Sequence, residues 1–152
     1  MEKAVCFTGH RDIAKEDLEK LKVDLENAII SLIEEGYTKF IAGGAIGFDA
    51  LCEKTVLRLR EKYPIILHIY ASCPDHNKKF TPEQNKEFMD IINKADKIFC
   101  VSNHYFNGVY LMRNDAMLDA SEVCISYMRK ESGGTAYTVN KAKKLGKRLI
   151  SL

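Results

Sequence analysis

The sequence predicts an α/β fold of three layers, with a mostly parallel sheet between helices on both faces. Three observations predict it. Short apolar runs alternate strictly with longer runs of helical periodicity. The short runs are almost continuously apolar, as strands buried on both faces are. Glycine clusters fall where strands end and helices begin. The 152 residues fit one domain, 1–152.

The first strand is AVCFTG, Ala4 to Gly9. A helix follows over Lys15 to Glu35, with Leu18, Leu21, Leu25, Ile29, Leu32 and Ile33 at helical spacing and Gly36 as its stop. TKFIAGG is the second strand, and FDALCEKTVLRLREKY the second helix, ended by Pro64. IILHIYA is the third strand, β-branched and apolar. A polar loop, SCPDHNKKFTPEQ, leads to a helix starting at Asn85. KIFCVS is the fourth strand, NHYFNG a loop, and VYLMRNDAMLDAS the next helix. EVCISYM is the fifth strand. ESGGTAYTVNKAKK reads as a loop that becomes a helix, and GKRLISL closes the chain as a strand. No internal repeat breaks this order.

Composition narrows the function classes. Hydrophobic residues make up 46% and charged residues 29%, as in globular proteins. No apolar run reaches the roughly 20 residues of a membrane helix, and the N-terminus carries no signal-peptide pattern. The expected compartment is the cytoplasm, with no membrane partner. A net charge of +2 argues against nucleic acid as a partner. Cys6, Cys100 and Cys124 lie in apolar runs, where cysteine serves as a small buried hydrophobe. The five cysteines form no CxxC pair and are expected as free thiols. Cys73 and His76 could donate to a metal, but no second cluster completes a site, so no metal is expected.

In such folds ligands bind beyond the carboxyl ends of the strands. There lie Thr8, Gly9, His10 and Arg11 after the first strand, and Gly43, Gly44, Ala45, Gly47 and Asp49 after the second. Ser132, Gly133, Gly134 and Thr135 follow the fifth. Glycine lets backbone N–H groups approach a ligand, and a helix N-terminus favours phosphate. Two such loops could hold a diphosphate, or a phosphate and a sugar. Each glycine pair can equally be a tight strand-to-helix turn. Arg11 can pair with a phosphate or be a solvated surface residue. His10 can donate, act as acid–base, or hydrogen-bond locally. Asp49 suits the first turn of its helix and could accept from ribose hydroxyls. Arg113, Asn114 and Asp115 interrupt an apolar helix and could reach the same edge. The GxxxxGK(S/T) and GxGxxG patterns are absent, so P-loop and dinucleotide fingerprints do not apply. The basic run Lys141 to Arg148 suits a solvated helix face.

CFTGHR, GGAIGFDAL, VLRLREKYP, RNDAMLDAS and SGGTAYTVNKAKKLGK together resemble the YpsA-like branch of the SLOG superfamily, in order and over nearly the whole chain. That superfamily includes the DNA-processing protein DprA and the Lonely-Guy-type phosphoribohydrolases. The resemblance implies a Rossmann-like sheet and a nucleotide or ADP-ribose-like ligand at these loops, with no required cofactor. It also implies a homodimer, for which no seam is legible. The phosphoribohydrolases carry PGGxGTxxE. Here Ser132 replaces the proline, Ala136 the third glycine, Tyr137 the threonine and Asn140 the glutamate. Asn140 cannot serve as a carboxylate in N-glycosidic cleavage. Asp49 and Asp115 remain the candidate catalytic carboxylates if the ligand is turned over. Three functions follow: a sensor or carrier of a nucleotide-derived small molecule, a hydrolase of such a molecule, and a DprA-like single-stranded DNA binder.

Overall fold

The computed structural model describes residues 3–152. Among the described residues six strands and five helices alternate: β1 (Lys3–Gly9), α1 (Leu18–Glu34), β2 (Tyr37–Ala42), α2 (Phe48–Arg60), β3 (Ile66–Ala71), α3 (Pro82–Lys94), β4 (Lys97–Cys100), α4 (Val109–Asp119), β5 (Val123–Tyr127), α5 (Gly134–Lys144) and β6 (Arg148–Ser151). All strand pairs are parallel, in the order β4-β3-β2-β1-β5-β6. This is a three-layer, Rossmann-like α/β fold.

Parallel strands joined through helices cross over right-handedly. The chain steps from β1 outward to β4, which stacks α1, α2 and α3 on one face. It then returns past β1 to β5, which puts α4 and α5 on the other. Strand alternation divides the core accordingly. Val5 and Phe7 of β1 point to the first face and pack with Leu25, Ile29, Leu32, Phe40 and Val56. Ala4 and Cys6 point to the second and pack with Ile41, Met117, Leu118, Cys124 and Ala142. Full burial of the valine, leucine, isoleucine, phenylalanine and methionine side chains among these contributes roughly 1.5–3 kcal/mol each. The direction of travel reverses between β1 and β5, which stay paired up to Gly9 and Tyr127, so the connections leaving their carboxyl ends turn to opposite faces and leave a crevice between them.

Three local features differ from the sequence reading. Residues 15–17 form a turn, with Asp17 N–H on the Ala14 carbonyl at 2.9 Å, and α1 starts at Leu18. The helix expected from Asn85 starts at Pro82. Thr81 accepts from the Gln84 N–H at 3.2 Å while the Gln84 side chain accepts from the Thr81 N–H at 2.9 Å. That is a complete capping box with proline at the first turn. Cys100 is exposed rather than buried, because β4 is an edge strand with every residue exposed. Cys6, Cys52, Cys73 and Cys124 are buried, and all five thiols are free. Among the described residues no helix is long and apolar enough to cross a membrane.

Candidate functional site

A cleft of about 550 Å³ opens at the β1/β5 reversal point. Phe7, Thr8, Gly9, His10 and Arg11 line it from β1 and its loop. Lys130, Ser132, Gly133, Gly134 and Thr135 line it from the β5–α5 loop. Tyr110, Leu111, Arg113 and Asn114 of α4 form another wall, and Ala45 and Asp49 the floor toward α2. A larger groove of about 690 Å³ runs between α2 and α3. Its walls are surface charges such as Lys54 and Glu87, paired at 3.2 Å, and it contains none of the glycine loops.

The two glycine-rich helix starts are not equivalent. At α2 the chain uses its own groups to satisfy the loop. Phe48 N–H donates to the His10 carbonyl at 3.1 Å. Gly44 N–H donates to Glu53 Oε2 at 3.0 Å, and Ala45 N–H to Asp49 Oδ2 at 3.2 Å. The glycines there make room. A Cβ at Gly43 would stand 2.6 Å from Arg113 Nη1 and 2.8 Å from Asp49 Oδ2. A Cβ at Gly47, where φ is +80°, would overlap the Arg11 carbonyl, and one at Gly9 the Phe48 ring. Gly43, Gly44 and Gly47 therefore lie behind the cleft, not on its surface.

At α5 nothing comparable intervenes. Gly133, at φ +95°, turns the chain into the helix, and a Cβ there would meet nothing within 4 Å. The N–H groups of Gly134 and Thr135 occupy the first two helical positions, which have no acceptor within the helix. Arg11 and Lys130 flank them, and among the described residues neither takes part in an ion pair. Unpaired cations beside an uncapped helix N-terminus attract an anion.

The loops are held in register by contacts across the cleft's base. Arg129 N–H donates to His10 Nε2 at 2.7 Å, which leaves the ring proton on Nδ1. Burial, then the charges of Lys130 and Arg129, push the His10 pKa down, so the ring is neutral at pH 7. Tyr127 lies edge-on to His10, with centroids 5.7 Å apart, and its hydroxyl donates to Asp17 at 2.8 Å.

Under the floor lies a buried polar cluster. Arg113, 5% exposed, donates through Nη1 to the Gly43 carbonyl and through Nε to Asn114 Oδ1 at 2.8 Å. Burial raises the Asp49 pKa, while the Arg113 charge and the Ala45 N–H oppose the rise. Burial, reinforced by the Asp49 charge, pushes Glu53 well above the ordinary carboxylate range. Asp49 is thus engaged by a backbone donor and a cation, and is poorly placed as a free base.

Of the residues singled out from sequence, Thr8, Gly9, His10, Arg11, Ala45, Asp49, Arg113, Ser132, Gly133, Gly134 and Thr135 meet in the one cleft. Asp115 does not line it. Its carboxylate pairs with Lys141 at 2.9 Å and accepts from the Tyr137 hydroxyl at 3.1 Å. Sequence reasoning missed Tyr110 and Lys130. Lys130 stands three residues before the glycine pair, and Tyr110 one helical turn before Asn114, so spacing alone could have nominated both.

Comparison with known proteins agrees with this fold. The SPbeta prophage-derived protein YoqJ of Bacillus subtilis (strain 168) is 29% identical over 138 residues, covering 79% of this chain and 81% of the relative. The UPF0398 protein OB1025 of Oceanobacillus iheyensis is 24% identical over 155 residues, covering 95% and 84%. Among solved structures, DNA processing protein A from Helicobacter pylori superposes with a TM-score of 0.70 at 18% identity, over 98% of this chain. The Streptococcus pneumoniae protein gives 0.70 at 16%, over 99%. This chain spans 64% and 50% of those two chains, and at such identities they share the fold. The YspA SLOG family profile matches residues 5–149, from the first strand through the last helix and into the final strand. The glycine loops and the α4 segment that build the cleft all fall within that match: this chain belongs to the YspA SLOG family.

Proposed function

We propose that the protein binds a phosphorylated, nucleotide-derived small molecule in this cleft, such as ADP-ribose or a related adenine nucleotide, as a sensor or carrier. One observation carries the reading. The uncapped start of α5 opens between Arg11 and Lys130, two cations with no ion-pair partner among the described residues. A phosphate there accepts from the Gly134 and Thr135 N–H groups, and Arg11 can add a bidentate pair. A cytoplasmic setting belongs to the proposal, since five free thiols persist under reducing conditions.

Turnover is the less supported reading. Asn140 stands where the phosphoribohydrolase pattern has glutamate, Asp115 lies outside the cleft, and Asp49 is engaged from within. A second reading is favoured by the fold likeness to Helicobacter pylori DprA, which has a single-stranded DNA binding mode. The net charge of +2 opposes it. The test incubates the protein with ADP-ribose, NAD, AMP and a single-stranded oligonucleotide, and follows melting temperature, product formation and anisotropy. A melting shift with a nucleotide and no product is expected. Submicromolar oligonucleotide binding that falls steeply with salt would favour the DNA reading instead. No shift across the nucleotide panel at millimolar concentration would end the proposal.

A further inference from the structure

Tyr110 is an aromatic cleft residue with no part in a phosphate site, its ring packed edge-on to His76 and Tyr105 at 6.4 and 6.3 Å. It is half-buried on the cleft wall, in the first turn of α4. Two guanidinium groups lie against its ring, Arg113 at 5.7 Å and Arg11 at 5.4 Å from the centroid. Arg113 is fixed by its bonds to Gly43 and Asn114. Arg11 is exposed, has no ion-pair partner among the described residues, and is free to leave. Asn114 follows Tyr110 by four residues, one turn of the same helix, or about 6 Å along its axis. Its Oδ1 accepts from Arg113, so its Nδ2 is turned the other way, 3.9 Å from where a Cβ on Gly134 would stand. The α4 wall therefore presents an aromatic ring, one turn later an amide donor, and beside that donor the start of α5.

We infer that Tyr110 is a nucleobase platform, and that the ligand is a nucleoside 5′-phosphate, or a larger molecule containing one, rather than a bare phosphosugar. The inference rests on the phosphate reading of the α5 start. The base stacks on the face of Tyr110 that Arg11 covers. Arg11 swings from the ring to the phosphate. The ribose spans the turn between Tyr110 and Asn114, with the Asn114 amide donating to the sugar or the phosphate. Stacking on one aromatic ring tolerates any base, so adenine is favoured only modestly by its size. Of the groups exposed along this path, the cations serve the phosphate and the tyrosine serves the base.

The experiment is calorimetric titration of wild type, Tyr110→Leu and Tyr110→Phe with AMP and with ribose 5-phosphate. Wild type should bind AMP at least tenfold more tightly than ribose 5-phosphate. Tyr110→Leu should bring AMP down to the ribose 5-phosphate level and leave ribose 5-phosphate unchanged, while Tyr110→Phe keeps the tenfold difference. Equal affinity of wild type for both probes would overturn the base platform and leave the phosphate reading standing. Binding of neither probe would overturn both. If Tyr110→Leu lost both probes equally, or kept the discrimination, Tyr110 would be a structural residue or the base would sit elsewhere, and the inference would be wrong. Circular dichroism melting of both variants separates loss of binding from loss of fold.

Discussion

His76 Nε2 donates to the Gly44 carbonyl oxygen at 2.9 Å, while its Nδ1 accepts from the Ser72 N–H at 3.1 Å. This ring joins the β3–α3 loop to the β2–α2 loop beneath the cleft, stacked on Phe88 with centroids 5.5 Å apart. Both nitrogens are engaged by a neutral ring, so a proton on Nδ1 would break the Ser72 bond.

Burial, with the charges of Arg113 and Arg11 adding to it, holds the His76 pKa at about 4 despite the Gly44 bond. The folded value lies below the unfolded 6.5, so the unfolded state takes up protons first. The stabilisation is present above pH 6.5 and is lost as the pH falls toward 4. Glutamine at 76 can accept and donate in similar directions without titrating. The stability of wild type relative to His76→Gln should therefore fall by about 1.6 kcal/mol between pH 6.5 and 5, the slope rising toward about 1.4 kcal/mol per pH unit. Urea unfolding at the two pH values reads this, and the His76 ring protons should titrate well below those of a solvated histidine by NMR.

The glycines should separate into two classes. Gly47→Ala combines a positive φ with overlap on the Arg11 carbonyl, and Gly43→Ala places a methyl group 2.6 Å from Arg113 Nη1. Each should cost about 2–4 kcal/mol in urea unfolding, with Gly47→Ala the worse. Gly133→Ala has open space around it but sits at φ +95° and ψ −171°, a region essentially restricted to glycine, and should cost about 1–3 kcal/mol through backbone strain alone. A cost at position 47 no greater than at position 133 would mean that the space beside the Arg11 carbonyl is not filled as described.

Arg113 compensates two buried carboxyl groups, and they press on it differently with pH. Arg113→Met should destabilise by about 3 kcal/mol at pH 7, because it leaves buried negative charge unopposed. The loss should shrink at pH 5, as Asp49 and Glu53, both with raised pKa values, take up protons. Glu53→Gln keeps an acceptor for the Gly44 N–H without the charge. A raised carboxyl contributes stability that is present below pH 4.5 and lost as pH rises through the folded value. Glu53→Gln should therefore match wild type at pH 4 and be the more stable of the two at pH 8. Thermal melts across that range check both variants.

The strand–helix order and the cleft were legible from sequence because the strands are short apolar runs, the first two of which, AVCFTG and TKFIAGG, end in glycine. What the glycines do was not legible. Gly43 and Gly133 look alike in sequence, but one is crowded by Arg113, 70 residues away, and the other faces open space. The sequence places Arg113 at the same edge, but only the fold shows it buried against the Gly43 carbonyl, beneath the cleft floor. Cys100 reads as buried because its neighbours are apolar, and strand order alone makes β4 an edge. The start of α3 was readable: Thr81, Pro82 and Gln84 spell a capping box, masked by the polar loop before it.

Gly134 is the helix-start residue closest to the proposed phosphate. Its φ is not positive, and a Cβ there meets only Asn114 Nδ2, at 3.9 Å. Of this glycine pair only Gly133 has a positive φ. Gly134→Val should therefore leave stability within about 0.5 kcal/mol of wild type, since valine is no worse a helix former than glycine. Its branched side chain would still occupy the place where a phosphate meets the start of α5. The measurement is calorimetric titration of wild type and Gly134→Val with AMP, at matched melting temperature. The variant should bind at least tenfold more weakly, a loss of about 1.4 kcal/mol. A folded Gly134→Val protein that binds AMP as tightly as wild type would show that the start of α5 is only a turn.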